Sequence, residues 1–190
     1  AAHRAAFSLA GANPHASLPL PKDQECGMIE KTGGEGMKLE WQRLEGQNGH
    51  EGGRQLLAAL YRAETGKPLP EIAVTAQGKP YFPNSPWHFS ISHTKNHVFC
   101  ALSRHNIGMD AEEAQRQLDP RLAARILSPE ELKKFDNSRE MLLKFWVLKE
   151  AQAKCTGEGL RGYPNHTNFS LDDPRVQQIS GCLVAVIEGE

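Results

Sequence analysis

The chain is 190 residues long and 39% apolar, with 22 basic against 23 acidic residues for a formal charge of −1. That much apolar material builds a core and excludes a disordered tail. The charge balance argues against a nucleic-acid protein working through bulk positive charge, and no run approaches the roughly 18 apolar residues of a membrane helix.

Along the chain, residues 1–53 hold nine of the 17 glycines and no sustained period. The opening Ala1–Ala10 is too weakly apolar for a secretory signal, so a cytoplasmic chain is expected. Lys31–Gly36 reads as a loop and Met37–Trp41 as a short alternating strand. From Arg54 the signal sharpens: Leu56, Leu57, Leu60, Tyr61 and Ala63 repeat at helical spacing, and Gly66 sits where a C-terminal cap belongs. Ile72–Ala76, Trp87–Ile91, His97–Ser103 and Ile107–Ala111 read as strands, with a turn at Gln77–Pro80. Asp119-Pro120 and Ser128-Pro129 are helix starts, each an N-cap followed by proline. Glu140–Cys155 is the strongest helix, stopped near Gly157, and Asn168–Leu171 and Cys182–Ile187 read as closing strands. Strand pairs mixed with helices predict an α+β architecture.

The four cysteines, Cys26, Cys100, Cys155 and Cys182, show neither a CxxC pair nor metal-site spacing, so they read as small hydrophobes in a reducing compartment. His93 and His97 are four apart, but in a turn rather than on a helix, which argues against a zinc pair. Asn165-His166-Thr167 and Asn168-Phe169-Ser170 match the glycosylation pattern, which carries no weight without a secretory signal.

Four segments could carry chemistry. Asp110 and Glu112 are two apart on a strand, hence on one face and about 6.6 Å apart at ~3.3 Å per residue. Two carboxylates so close suit a hard divalent cation such as Mg²⁺, although solvated acids at a strand end fit the spacing too. Trp146, Glu150 and Lys154 fall four apart and share a helix face; a surface Glu–Lys pair would use the same spacing. Phe89-Ser90-Ile91-Ser92-His93-Thr94 ends a strand in hydroxyls and an imidazole, a cradle for an anion. It lacks the GxSxG of a serine-hydrolase elbow. Lys79, in Gly78-Lys79-Pro80, is either a turn lysine or a phosphate contact.

Taken in order, Gly78-Lys79-Pro80, Phe89 to Thr94, Ile107-Gly108-Met109-Asp110-Ala111-Glu112, and Trp146-x-x-Lys149-Glu150-Ala151-x-x-Lys154-x-x-Gly157-x-Gly159-Leu160 resemble the Sfp-type 4'-phosphopantetheinyl transferases of the holo-acyl-carrier-protein synthase superfamily. The resemblance runs from about Arg54 to Leu160, and its last motif is the most specific. It implies transfer of the phosphopantetheine arm of coenzyme A to a serine of an apo acyl, polyketide or peptidyl carrier protein, releasing 3',5'-ADP. It also implies Mg²⁺ held by Asp110, Glu112 and Glu150. Lys154 would grip the pyrophosphate, with Lys149 beside it. Ser92 and His93 would meet the nucleotide end, and Lys79 and Arg54 would add phosphate or coenzyme A contacts. Glu131 occupies the position of a proposed base, acting directly or through a water, yet Ser128-Pro129-Glu130-Glu131 is also a capping box.

The implied fold is a pseudo-dimer of two similar α/β halves, residues 1–103 and 104–190, with the site in the cleft between them and the seam near Ser103 to Asn106. A monomer acting on a carrier protein and coenzyme A is implied, with neither nucleic acid nor membrane as a partner. Toward the N-terminus, Lys22, Lys31, Lys38 and Arg43 are candidate coenzyme A contacts, and no motif selects among them. A coenzyme A-binding module without transfer and a Mg²⁺-dependent phosphohydrolase are the alternatives.

Overall fold

The computed structural model describes residues 25–30, 36–46, 48–159 and 164–189. The opening Ala1–Ala10, Lys22, Lys31, most of the Lys31–Gly36 loop and Leu160 lie outside them. Strands β1 (Cys26–Glu30), β2 (Lys38–Arg43), β5 (His88–His93) and β6 (His97–Ser103) form an antiparallel sheet in the order β1-β2-β6-β5. Helix α1 (Gly49–Thr65) covers it, and a short ribbon of β3 (Ala73–Val74) with β4 (Pro80–Tyr81) follows. Past Ser103 the chain enters a second antiparallel sheet, β7 (Ile107–Glu113), β9 (Cys182–Glu188) and β8 (Val176–Ile179), ordered β7-β9-β8. Short helices α2 (Ala123–Ile126) and α3 (Pro129–Leu132) lead into α4 (Arg139–Thr156), which lies on β7 and β9.

Side-chain alternation stacks these elements as helix, sheet, sheet, helix. Val98, Cys100 and Leu102 of β6 face α1, where Leu56, Leu57, Leu60 and Tyr61 cover them. The intervening Phe99 and Ala101 turn the other way and meet Ile107, Met109 and Ala111 of β7 and Cys182, Val184 and Val186 of β9. The alternate residues Leu183, Ala185 and Ile187 of β9 pack under α4. Strand β6 is thus buried on both faces, which is why it reads as an unbroken apolar run.

Helix α1 begins at Gly49 with Asn48 as N-cap, well before the apolar period that starts near Arg54. Two glycines mask its first turns. A Cβ on Gly52 would meet Leu44 at 2.8 Å, and one on Gly53 would meet Ile91 at 2.7 Å, so close packing on the sheet selects residues that weaken the helical pattern. Gly66 and Gly157 cap α1 and α4 in the left-handed conformation at φ 68° and 79°. Ser128-Pro129 starts α3 with a complete capping box.

One expected strand is absent. Residues 168–171 are extended coil ending in a turn, and the closing strand is Val176–Ile179. The Phe169 amide donates to Glu131 Oε1 at 2.7 Å, so this segment spends its backbone on the helical layer instead of a ladder.

Candidate functional site

The site forms where an edge strand of each sheet meets. Strands β5 and β7 are both edges, so β7 carries amide donors that no strand accepts. Ser90 and Ser92, two apart and therefore on one face, supply the acceptors: Met109 N donates to Ser90 Oγ at 2.9 Å and Ala111 N to Ser92 Oγ at 3.2 Å. These hydroxyls stitch the two sheets together. Ser92 also donates to Asp110 Oδ1 at 3.0 Å and accepts from Lys154 Nζ at 3.1 Å. Ser90 is a stitching residue that strand alternation alone makes legible.

Asp110 and Glu112 point from β7 toward α4, as the two-residue spacing requires. Asp110 is 6% exposed, and its Oδ1 accepts from Lys154 Nζ at 2.7 Å. Its Oδ2 is buried with no hydrogen-bond donor among the described residues. Glu112 Oε1 accepts from Trp146 Nε1 at 3.2 Å and from Arg116, a partner that motif reading passed over. Glu150 makes no hydrogen bond to a described residue, and its carboxyl is pushed up to about 7, first by burial and then by the charge of Asp110, with Glu112 adding to it. The helix face of Trp146, Glu150 and Lys154 is therefore turned onto the strand face of Asp110 and Glu112. Asp110, bound to Lys154 and with one oxygen buried without a donor among the described residues, and the neighbouring Glu112 and Glu150, the first raising the proton affinity of the second, offer oxygen donors of the kind that suits a hard divalent cation.

His93 lies at the rim. Its ring meets His50 edge-on at 5.1 Å, and its pKa is lowered by partial burial, by His50 and by Lys154, against a raising influence of Asp110. A Cβ on Gly49 would come within 2.6 Å of this ring, so the start of α1 is seated against His93. Arg54 is half-buried one turn further along α1 and forms no ion pair with a described residue. Lys38 lies in β2, and Arg43 lies 3.6 Å from Glu25.

Three expected site residues are committed elsewhere. Lys79 donates to Asn106 Oδ1, to Cys155 O at 2.6 Å and to Ile107 O at 3.4 Å. An ammonium has three protons, so Lys79 is a cation closing the C-terminal end of α4 across the two sheets rather than a presented phosphate contact. Its pKa is lowered by burial.

Lys149 and Glu131 form the second exception. Residues one apart on a helix do not share a face, and Lys149 is turned from Glu150 into the core. It lies 2.9 Å from Glu131 Oε2, donates to Thr167 O, and is 2% exposed. Glu131 completes the capping box by accepting from Ser128 N at 2.7 Å and also holds the Phe169 amide. These are the contacts of a buried structural carboxylate, and nothing here aims it at the Asp110 cluster. Lys149→Met should cost about 3–5 kcal/mol by leaving Glu131 buried and unpaired. In urea unfolding, Glu131→Gln added to Lys149→Met should recover part of that loss, since it removes the stranded charge.

Residues 106–185 match the 4'-phosphopantetheinyl transferase superfamily. Over 107 residues the chain is 31% identical to the 4'-phosphopantetheinyl transferase gsp of Aneurinibacillus migulanus, covering 54% of this chain and 44% of the relative. It is 35% identical over 96 residues to a 4'-phosphopantetheinyl transferase of Bacillus subtilis, covering 47% and 42%. It is 34% identical over 89 residues to the 4'-phosphopantetheinyl transferase Sfp of Bacillus subtilis (strain 168), covering 44% and 39%. The matches thus span less than half the length of these curated relatives. The superfamily match takes in the motif residues from Asp110 to Lys154. No helix among the described residues is long and apolar enough to cross a membrane.

Proposed function

We propose that this chain transfers the 4'-phosphopantetheine group of coenzyme A to a serine hydroxyl of an apo carrier protein, Mg²⁺-dependently, with release of 3',5'-ADP. The strand face of Asp110 and Glu112 set against the helix face of Trp146, Glu150 and Lys154 carries this reading. The matched superfamily and the names of the similar proteins support the same chemistry. The helix-on-sheet units on either side of Ser103 to Asn106 agree with two similar halves, residues 1–103 and 104–190, holding a site between them.

In the transfer, the carrier's hydroxyl oxygen bonds to the phosphorus that bears the pantetheine arm. The bond from that phosphorus to the bridging oxygen breaks, and the nucleotide leaves. Asp110, Glu112 and Glu150 would hold the Mg²⁺, which when bound would offset the charge of the diphosphate. Lys154, anchored by Asp110 and Ser92, adds a fixed positive charge where the leaving oxygen gains negative charge. His93 and Arg54, on β5 and α1, suit the nucleotide end of coenzyme A. Glu131 is tied up with Lys149, so the hydroxyl's proton passes to water rather than to Glu131.

The test is direct. Incubated with coenzyme A, Mg²⁺ and apo carriers of the fatty-acid, polyketide and nonribosomal-peptide types, the protein should add one phosphopantetheine mass to at least one carrier, read by mass spectrometry. Binding of coenzyme A with no mass gain on any carrier would overturn transfer in favour of a binding module.

A further inference from the structure

We propose a second cation site on the opposite face of β7, formed by His97, Glu113 and Cys182 and suited to a thiophilic divalent cation of the zinc class. Glu112 and Glu113 are consecutive on the strand, so their side chains leave opposite faces. Glu112 joins the acidic cluster under α4, while Glu113 enters the end of the layer between the sheets. There it is the cross-strand partner of Cys182 on β9. His97, the first residue of β6, reaches them from the other sheet.

The ligand atoms are already close to a coordination polyhedron. His97 Nδ1 lies 3.6 Å from Cys182 Sγ and 3.8 Å from Glu113 Oε1, while Cys182 Sγ lies 3.8 Å from Glu113 Oε2. One donor atom from each of the three residues lies within 4.8 Å of the others. A tetrahedral zinc ion with Zn–S of about 2.3 Å and Zn–N or Zn–O of about 2.0 Å needs ligand separations of about 3.3–3.5 Å. The His97–Cys182 pair meets that requirement with almost no movement, and Glu113 needs to draw in by at most about 1.5 Å to present one oxygen to both, leaving a fourth position for water.

The surroundings are those of a supported site. His97 Nε2 lies 3.3 Å from Ser180 Oγ, an outer partner that orients the ring and leaves Nδ1 for the metal. Ser180 is held by a two-residue turn with Gly181, at φ 47° and 76°, that joins β8 to β9. Thr94 Oγ1 and Asn96 Nδ2 donate to Glu113 Oε1 at 2.7 and 3.2 Å. The Trp41 ring closes one wall, 5.8 Å from His97 and edge-on. The Glu113 side chain is 32% exposed and gives an entry path.

A thiolate, an imidazole and a carboxylate select Zn²⁺ or Co²⁺ over Mg²⁺, so the two faces of one strand would serve different metals. On binding, the thiol proton of Cys182 is released to solvent as the sulfur coordinates. The bound ion would tie β6 to β7 and β9 and stabilise the sheet packing by mass action.

The experiment is a Co²⁺ titration of the full chain carrying Cys26→Ser, which removes the one exposed thiol among the described residues. A thiolate-to-cobalt charge-transfer band with tetrahedral visible bands is expected, displaced by Zn²⁺ and accompanied by release of one proton. Cys182→Ser should lose the charge-transfer band, and His97→Gln should lose both sets of bands. Ser180→Ala should weaken binding about 10-fold through the outer shell. Glu150→Gln should leave the spectrum unchanged, which separates this site from the acidic cluster. Absence of a thiolate band in the parent, or its persistence in Cys182→Ser, would overturn the proposal.

Discussion

Gly108→Ala should abolish stable folding of the layer that carries the candidate site. A Cβ at this position would lie 2.7 Å from Cys155 Cα and closer still to Ala151 O and Cys155 N, all backbone atoms of α4. Neither a strand held by seven register pairs to β9 nor a capped helix can yield without breaking its own hydrogen bonds. The cost should exceed about 4 kcal/mol, a large part of the stability of an ordinary domain. Thermal and urea unfolding followed by circular dichroism would check it. A variant melting within a few degrees of the parent would show that the β7–α4 contact is soft. Gly66→Ala is the control: open space surrounds it, and its left-handed φ of 68° predicts a loss of only about 1 kcal/mol. The close approach that Gly108 permits is also what turns the face of Asp110 and Glu112 onto that of Glu150 and Lys154.

Glu150→Gln should move activity and stability in opposite directions. The variant keeps the volume but removes a charge from the cluster, so carrier modification should fall by about 10²–10³-fold, measured as single-turnover rates at saturating Mg²⁺. Its effect on metal-free stability follows from the proton balance. In the folded protein the Glu150 carboxyl is raised from 4.5 to about 7, chiefly by burial and then by Asp110. Between those values the folded state keeps a proton that the unfolded chain has released, so stability falls as pH rises through this window and stays reduced above it. Glutamine has no such proton. The variant should therefore match the parent near pH 4.5 and exceed it at mildly alkaline pH by about 3 kcal/mol. Equal stability at both pH values would mean that neither burial nor the neighbouring carboxylates raise the Glu150 carboxyl. Such a gain is the usual signature of a functional site that strains its own fold.

Local signals in the chain were sufficient for the elements that depend on local interactions. Helix ends set by Ser128 at one side and by Gly66 and Gly157 at the other use side chains and dihedrals within a few residues. Strands buried on one or both faces declare themselves through alternation or an apolar run, as at His88–His93 and His97–Ser103. Where long-range packing overrides local preference, the reading fails. The first turns of α1 hide behind Gly52 and Gly53, and the extended-looking segment at 168–171 is captured by Glu131 instead of a sheet.

The same division holds at the site. Same-face spacing made Asp110 with Glu112, and Glu150 with Lys154, readable as pairs before any fold was known. Spacing could not say that the pairs face each other, because that depends on which strand a helix covers. The partners of Lys79, Lys149 and Glu131 likewise come from tertiary structure. A lysine's reach of several ångströms leaves its target open until neighbouring elements are placed, and each of these three charges ended in a buried contact far from it in sequence or turned from the expected face. Cys182, His97 and Glu113 are separated by up to 85 residues and share no motif. Strand register brings Glu113 opposite Cys182, and the stacking of two sheets brings His97 to both: the order of residues determines each strand, but only packing determines which strands meet.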